Sequence, residues 1–131
     1  MDHMIVQCLR EAVPDLLAVY RFGSFGTDAE RLESDLDIAF LAEASPSHVK
    51  RWRLAQEMAT MFGREVDLID LAQATTVFRM QVIAHGRRIW CADEVRVETY
   101  ADYVFSSYAR LNEERRWILQ DIRERGNIYG G

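Results

Sequence analysis

Two stretches of this chain carry residue types that could do chemistry together. The first runs Arg21-Phe-Gly-Ser-Phe-Gly-Thr-Asp-Ala-Glu-Arg-Leu-Glu-Ser-Asp-Leu-Asp-Ile-Ala-Phe40. Within it, Asp35 and Asp37 sit where an apolar run begins. Side chains two apart on a strand point to the same face, so both carboxylates share one side of a sheet. Paired carboxylates at a strand edge suit hard cations such as magnesium. Upstream, Gly23 follows another apolar run, and a glycine there lets backbone approach a phosphate closely. Ser24 adds a hydroxyl and a backbone N–H, and a helix starting at this turn would add a favourable dipole. Between positions 28 and 43 there are six acidic residues against one basic residue, Arg31. Phosphates would be repelled from such a mouth unless a metal bridged them, so this chemistry needs magnesium as a partner.

A third carboxylate would complete a two-metal site. The second stretch, Glu65-Val-Asp-Leu-Ile-Asp70, offers Asp67 and Asp70. They are three residues apart and face opposite ways on a regular strand. Asp67 is the better choice, because inside a strand a carboxylate is costly to bury without a partner such as metal. Asp70 stands at the strand end, where a capping or turn role is common. Gly-Ser alone, or Asp-x-Asp alone, is most often structural. Their spacing, together with an Asp in a following strand, points to chemistry.

The elements that must hold these residues follow from periodicity. Apolar residues at helical spacing predict a helix over 4–13, ended by Pro14. Strands are predicted over 16–22, 35–41 and 65–69. Ser45 reads as an N-cap with Pro46 as the first residue of a helix running to Phe62 and capped by Gly63. That helix has an apolar stripe of Trp52, Ala55, Met58, Ala59 and Phe62. A further helix spans 75–85 and ends at Gly86, then a short strand spans 88–91. From 93 to 125 a long helical pattern carries Val97, Tyr100, Val104, Tyr108, Leu111, Ile118 and Ile122. Its aromatic side chains lie on more than one face, and such surplus apolar area marks a partner surface. The tail from Gly126 is expected to be loose. The fold expected is α/β (α+β): a small mixed β-sheet with helices packed against it, plus a long C-terminal helix. One domain is expected, with its core over 1–92 and the helix and tail over 93–131.

Composition narrows the function classes. The chain has 131 residues, 49% hydrophobic and 28% charged, as in a globular domain able to bury a core without staples. A net charge of −5 argues against broad nucleic-acid binding, which needs surplus Lys and Arg, so no direct nucleic-acid contact is expected. The single lysine, Lys50, follows Val49, which excludes a Gly-Lys-Ser/Thr phosphate loop. Cys8 and Cys91 form no CxxC pattern and read as reduced thiols. Neither a signal peptide nor a membrane-spanning run is apparent, so a cytoplasmic protein is expected. His3, His48 and His85 share no motif; His85 reads as a dipole partner at a helix end. Arg87 and Arg88, like Lys50, Arg51 and Arg53, read as solvated charge.

Gly23-Ser24, ten intervening residues, then Asp35-Leu36-Asp37 is similar to the signature of the polymerase-beta-like nucleotidyltransferase superfamily. The short chain and Val66-Asp67-Leu68 resemble its minimal nucleotidyltransferase (MNT) branch. The strand–helix–strand order from Leu16 to Asp70 fits as well. More loosely, the rest of the chain resembles MNT antitoxins paired with HEPN-domain ribonuclease toxins. The resemblance implies that Gly23 and Ser24 hold the β and γ phosphates of ATP. It implies that Asp35 and Asp37 bind two Mg2+ ions, and that Asp67 completes the second metal site and helps deprotonate the acceptor hydroxyl. AMP would pass to a tyrosine of the toxin, with release of pyrophosphate. The family pattern departs at Ser24-Phe25-Gly26-Thr27-Asp28, where many relatives place an arginine beside the phosphates; here Arg31 is the nearest. Two other functions fit the residues: a binding module that neutralises its toxin by contact, and a transferase acting on a small molecule such as an antibiotic.

Overall fold

The computed structural model describes residues 1–23 and 35–129, with side chains as far as Arg125. Its strands are β1 (Leu16–Arg21), β2 (Leu36–Ala42), β3 (Val66–Asp70) and β4 (Arg87–Cys91), ordered β3-β2-β1-β4 in one sheet. β1 is antiparallel to β2 and β4, while β2 and β3 are parallel. The mixed sheet expected from the sequence is therefore present. A parallel neighbour cannot be reached by a tight hairpin, and α2 (His48–Phe62) supplies the crossover from β2 to β3.

Helices cover both faces. On one, Ile5 and Leu9 of α1 (Asp2–Ala12) and Leu54, Ala55 and Met58 of α2 pack on Val19, Ile38, Phe40 and Leu68. On the other, Val82 of α3 (Thr76–His85) and Val97 of α4 (Glu94–Tyr129) pack on Ala18, Tyr20, Ala39 and Leu41. The alternation along β2 assigns its odd-numbered residues, Asp37 included, to the α3/α4 face.

Four details differ from the sequence reading. Helix α2 is capped by Ser47, whose hydroxyl accepts from Lys50 N–H at 3.1 Å, and it begins at His48; Ser45 is not its cap. Both serines suit a cap, but only Ser47 stands three residues before Lys50, the last N–H left free before backbone bonding begins at Arg51. Trp52 is 63% exposed and Leu54 takes the inner face instead. Counted from Met58 at the centre of that face, Trp52 lies about 120° round the helix. Arg51 does lie on the inner face, and it donates to the Leu68 carbonyl at 2.9 Å, so it ties α2 to β3 and is not simply solvated. Helix α4 continues through Gly126 to Tyr129, where a loose tail was expected. Gly63, in the left-handed region at φ 65°, closes α2 as its sequence position suggests.

Candidate active site

Three chain segments meet at one end of the sheet. β1 ends there at Arg21, and the antiparallel β2 starts there beside it, as does β3. The ladder extends past β1, with Phe22 N–H donating to Asp37 O at 3.1 Å. Phe22 also stands edge-on to Phe78 of α3, with ring centroids 5.4 Å apart, which anchors the chain just before it turns.

Gly23 makes that turn at φ 78°, a conformation that L side chains rarely adopt. It has a second constraint. A Cβ placed on Gly23 would lie 2.1 Å from Asp37 Oδ2 and 2.9 Å from its Cγ. The bare glycine backbone is the wall against which the Asp37 carboxylate rests. Ser24 and Arg31 lie outside the described residues.

Asp37 and Asp67 are direct partners in the parallel β2–β3 register. Each shares its parity with inward residues of the α3/α4 side, Ala39 for Asp37 and Ile69 for Asp67, so both carboxylates project on that face. Asp35 stands exposed just before β2, and Asp67 is exposed as well, while Asp37 is half-buried. Burial pushes the Asp37 carboxyl above the ordinary range, and the neighbouring charges of Asp67 and then Asp35 push it further. Both neighbouring acids therefore bear on Asp37, and a cation placed among them would relieve that repulsion. Among the described residues, no three His, Cys, Asp or Glu side chains converge tightly enough to hold a metal ion by themselves. Asp35, Asp37 and Asp67 are the carboxylates that could hold magnesium, which is commonly bound by one or two carboxylates with phosphates and waters completing its shell.

Asp70 plays the other part. It is 4% exposed, and its Oδ1 accepts from Ala72 N–H at 3.0 Å to cap a short 3-10 turn, Leu71–Gln73. The sequence reading chose Asp67 as the acid that would be buried inside the strand, but Asp67 is exposed and Asp70 is the buried one, because β3 ends there under the Leu71–Gln73 turn. Arg88 pairs with Glu94 at 3.3 Å, and Arg87 pairs with Asp2, which also holds Arg21 at 3.1 Å. These arginines bind β4 and β1 to the helices, so they are structural ties and not merely solvated. Sequence reasoning missed Arg51, Arg79 and Tyr100, whose polar ends turn inward; their types and spacing match ordinary helix residues and gave no signal.

Comparison with known proteins adds a separate line of findings. Residues 4–95 match the model of the family "Polymerase beta, Nucleotidyltransferase". The chain is 36% identical over 121 residues to protein adenylyltransferase MntA of Shewanella oneidensis, covering 92% of this chain and 86% of that one. Among solved structures, it is similar to a toxin-antitoxin crystal structure with AMP-PNP, with a TM-score of 0.82 and 36% identity over 92% of this chain and 97% of the other. It is also similar to a structure of tri-AMPylated Shewanella oneidensis HEPN toxin in complex with MNT antitoxin, with a TM-score of 0.78 and 36% identity over 92% and 94% of the two chains.

Proposed function

The chain belongs to the polymerase beta nucleotidyltransferase family, and from that premise we propose that it is an antitoxin that transfers AMP from ATP to a tyrosine of a cognate HEPN ribonuclease toxin. The observation that carries this reading is the pairing of Asp37 with Asp67 across the β2–β3 ladder, with Gly23 packed against Asp37. A fold kept only as a contact surface has no use for repelling acids against a glycine wall. The relative's name and the AMPylated toxin in the neighbouring complex support the same reaction.

In this scheme Gly23 and Ser24 hold the β and γ phosphates, and Asp35, Asp37 and Asp67 hold two Mg2+ ions. The metals, when bound with ATP, neutralise the charge that develops on the phosphates. Asp37 is fixed by β2 and by the Gly23 wall, while Asp67 is carried opposite it by β3. The tyrosine oxygen attacks the α-phosphorus, its proton passes to the Asp67 carboxylate, and the bond to pyrophosphate breaks. ATP and an RNA-cleaving partner put the proposed site of action in the cytoplasm. No helix among the described residues is long and apolar enough to cross a membrane.

We assign the second half of α4 to partner binding. Val97 and Val104 are 1% exposed and continue the core. From Glu113 to Arg125, every residue is exposed, including Ile118 at 58% and Ile122 at 60%. On a straight helix those two follow the line of Val97 and Val104, so the same stripe continues with nothing of this chain to cover it. Ile118→Asp with Ile122→Asp is expected to weaken toxin binding by about 100-fold, the scale of losing a buried apolar anchor pair. Calorimetry measures the binding, and an unchanged melting temperature shows that the fold is intact. Affinity equal to wild type would remove α4 from the interface.

The reaction is tested by incubating the full chain with its HEPN partner, ATP and magnesium, followed by peptide mass spectrometry of the partner. AMP on a tyrosine is the expected outcome. A silenced toxin that carries no AMP would instead identify a contact-only antitoxin.

A further inference from the structure

Three buried polar atoms on different elements have no hydrogen-bond partner among the described residues: Asp70 Oδ2 at the end of β3, Arg79 Nε on α3, and the Tyr100 hydroxyl on α4. Asp70 and Arg79 meet at the Leu71–Gln73 turn, and Tyr100 packs on the core cluster that holds Leu71, Ile69 and Phe78. Asp70 is 4% exposed and spends its other oxygen on the Leu71–Gln73 turn. Arg79 reaches back to the same turn, donating from its guanidinium to Ala72 O at 2.9 Å. Tyr100 responds to both: burial raises its phenol, the Arg79 charge lowers it and the Asp70 charge raises it. The three atoms offer one acceptor, one donor and one hydroxyl that serves as either. Buried polar groups in folded proteins are rarely left unbonded, and a buried water typically makes about three hydrogen bonds.

We propose that a single buried water bridges Asp70 Oδ2, Arg79 Nε and the Tyr100 hydroxyl, and that this clasp positions Asp67 by tying the end of β3 to α3 and α4. Asp67 lies three residues before Asp70 on the same short strand. A strand end that slackens shifts that carboxylate relative to Asp37, its partner across the ladder. Asp70, Arg79 and Tyr100 are positioning residues here, acting through Asp67. The effect on Asp67 rests on the AMP-transfer reading; the bridging water does not.

Tyr100→Phe keeps the ring and removes only the hydroxyl. With the full chain and its HEPN partner, kcat for AMP transfer is expected to fall about 10-fold, as for a sub-ångström to one-ångström misplacement. KM for ATP should stay within about 2-fold, because the phosphate-binding turn leaves β1, not β3. Asp70→Asn combined with Tyr100→Phe should lose no more than the worse single variant, as groups sharing one water are non-additive. A kcat within about 2-fold of wild type, or single losses that multiply, would overturn the positioning role. If Asp70→Asn does not fold, amide exchange in Tyr100→Phe decides: faster exchange at Leu68 and Ile69 supports the clasp, and unchanged exchange contradicts it. If wild type transfers no AMP, the water is still read in electron density from crystals of the nucleotide-free chain. Density within hydrogen-bonding distance of all three atoms supports the clasp, and its absence, or direct bonds among the three, overturns it.

Discussion

Asp37→Asn is expected to abolish AMP transfer, by about 10³-fold or more, while raising the melting temperature at neutral pH. The two effects have one cause. Asp37 is the innermost of three acids, and its carboxyl is pushed up by burial, then by Asp67 and Asp35. A carboxyl whose folded pKa is raised contributes its stability in the protonated form. That contribution is complete below the unfolded pKa and is lost as pH rises through the folded value. The fold therefore penalises the ionised form of Asp37 that the proposed cation site needs. Asparagine has nearly the same shape without the charge, so it relieves the repulsion and forfeits the metal. The melting advantage of the variant should shrink as pH falls toward the carboxylate range. Magnesium with ATP should stabilise the wild type and leave the variant unmoved. Thermal scans over a pH series, with and without the nucleotide, measure all three. A variant less stable than wild type at neutral pH would contradict the electrostatic account of the site.

Gly23→Ala is expected to lower kcat/KM for transfer by about 100-fold, the cost of misplacing the proposed metal-binding carboxylate by about an ångström. The new methyl cannot coexist with Asp37 where it now stands, since the Cβ position is 2.1 Å from Oδ2. Either the turn opens or the carboxylate rotates away, and both spoil the site. A left-handed alanine adds about 1–2 kcal/mol of strain to the folded state. Gly63→Ala separates the two effects. Gly63 has nearly the same φ, 65°, but nothing lies within 4 Å of its Cβ position. That variant should lose similar stability and keep full transfer activity. Denaturant midpoints and steady-state kinetics on the pair give the comparison. Equal activity loss in both variants would show that Gly23 matters only for its backbone, not for the wall it presents to Asp37.

The candidate site was more legible in the sequence than the helices around it. Period-two alternation assigns carboxylates to faces without any knowledge of packing, and the register does set Asp67 beside Asp37, but the choice of Asp67 over Asp70 rested on burial, and it is Asp70 that is buried while Asp67 is exposed. Gly23 was readable as a turn, but its contact with Asp37 depends on two strands meeting, which no local pattern encodes. Helical periodicity reports that a stripe will be covered, not by what. Val104 and Ile118 look alike in sequence, yet the first is in this chain's core and the second is bare. Trp52 misled because apolar residues lie all round α2, so more than one stripe can be drawn at helical spacing. Tyr100 and Arg79 each read as an ordinary helix residue, because whether a polar atom is buried without a bond is decided only by tertiary structure.

The central claim is transfer from the α-phosphate of ATP by the acid cluster. Parallel reactions with α-labelled and γ-labelled ATP, magnesium and the HEPN partner test it most directly, using wild type and Asp35→Asn/Asp37→Asn. The account predicts partner labelling from α-labelled ATP alone, lost in the double variant. Labelling from γ-labelled ATP, or α-label transfer undiminished in the double variant, would contradict it.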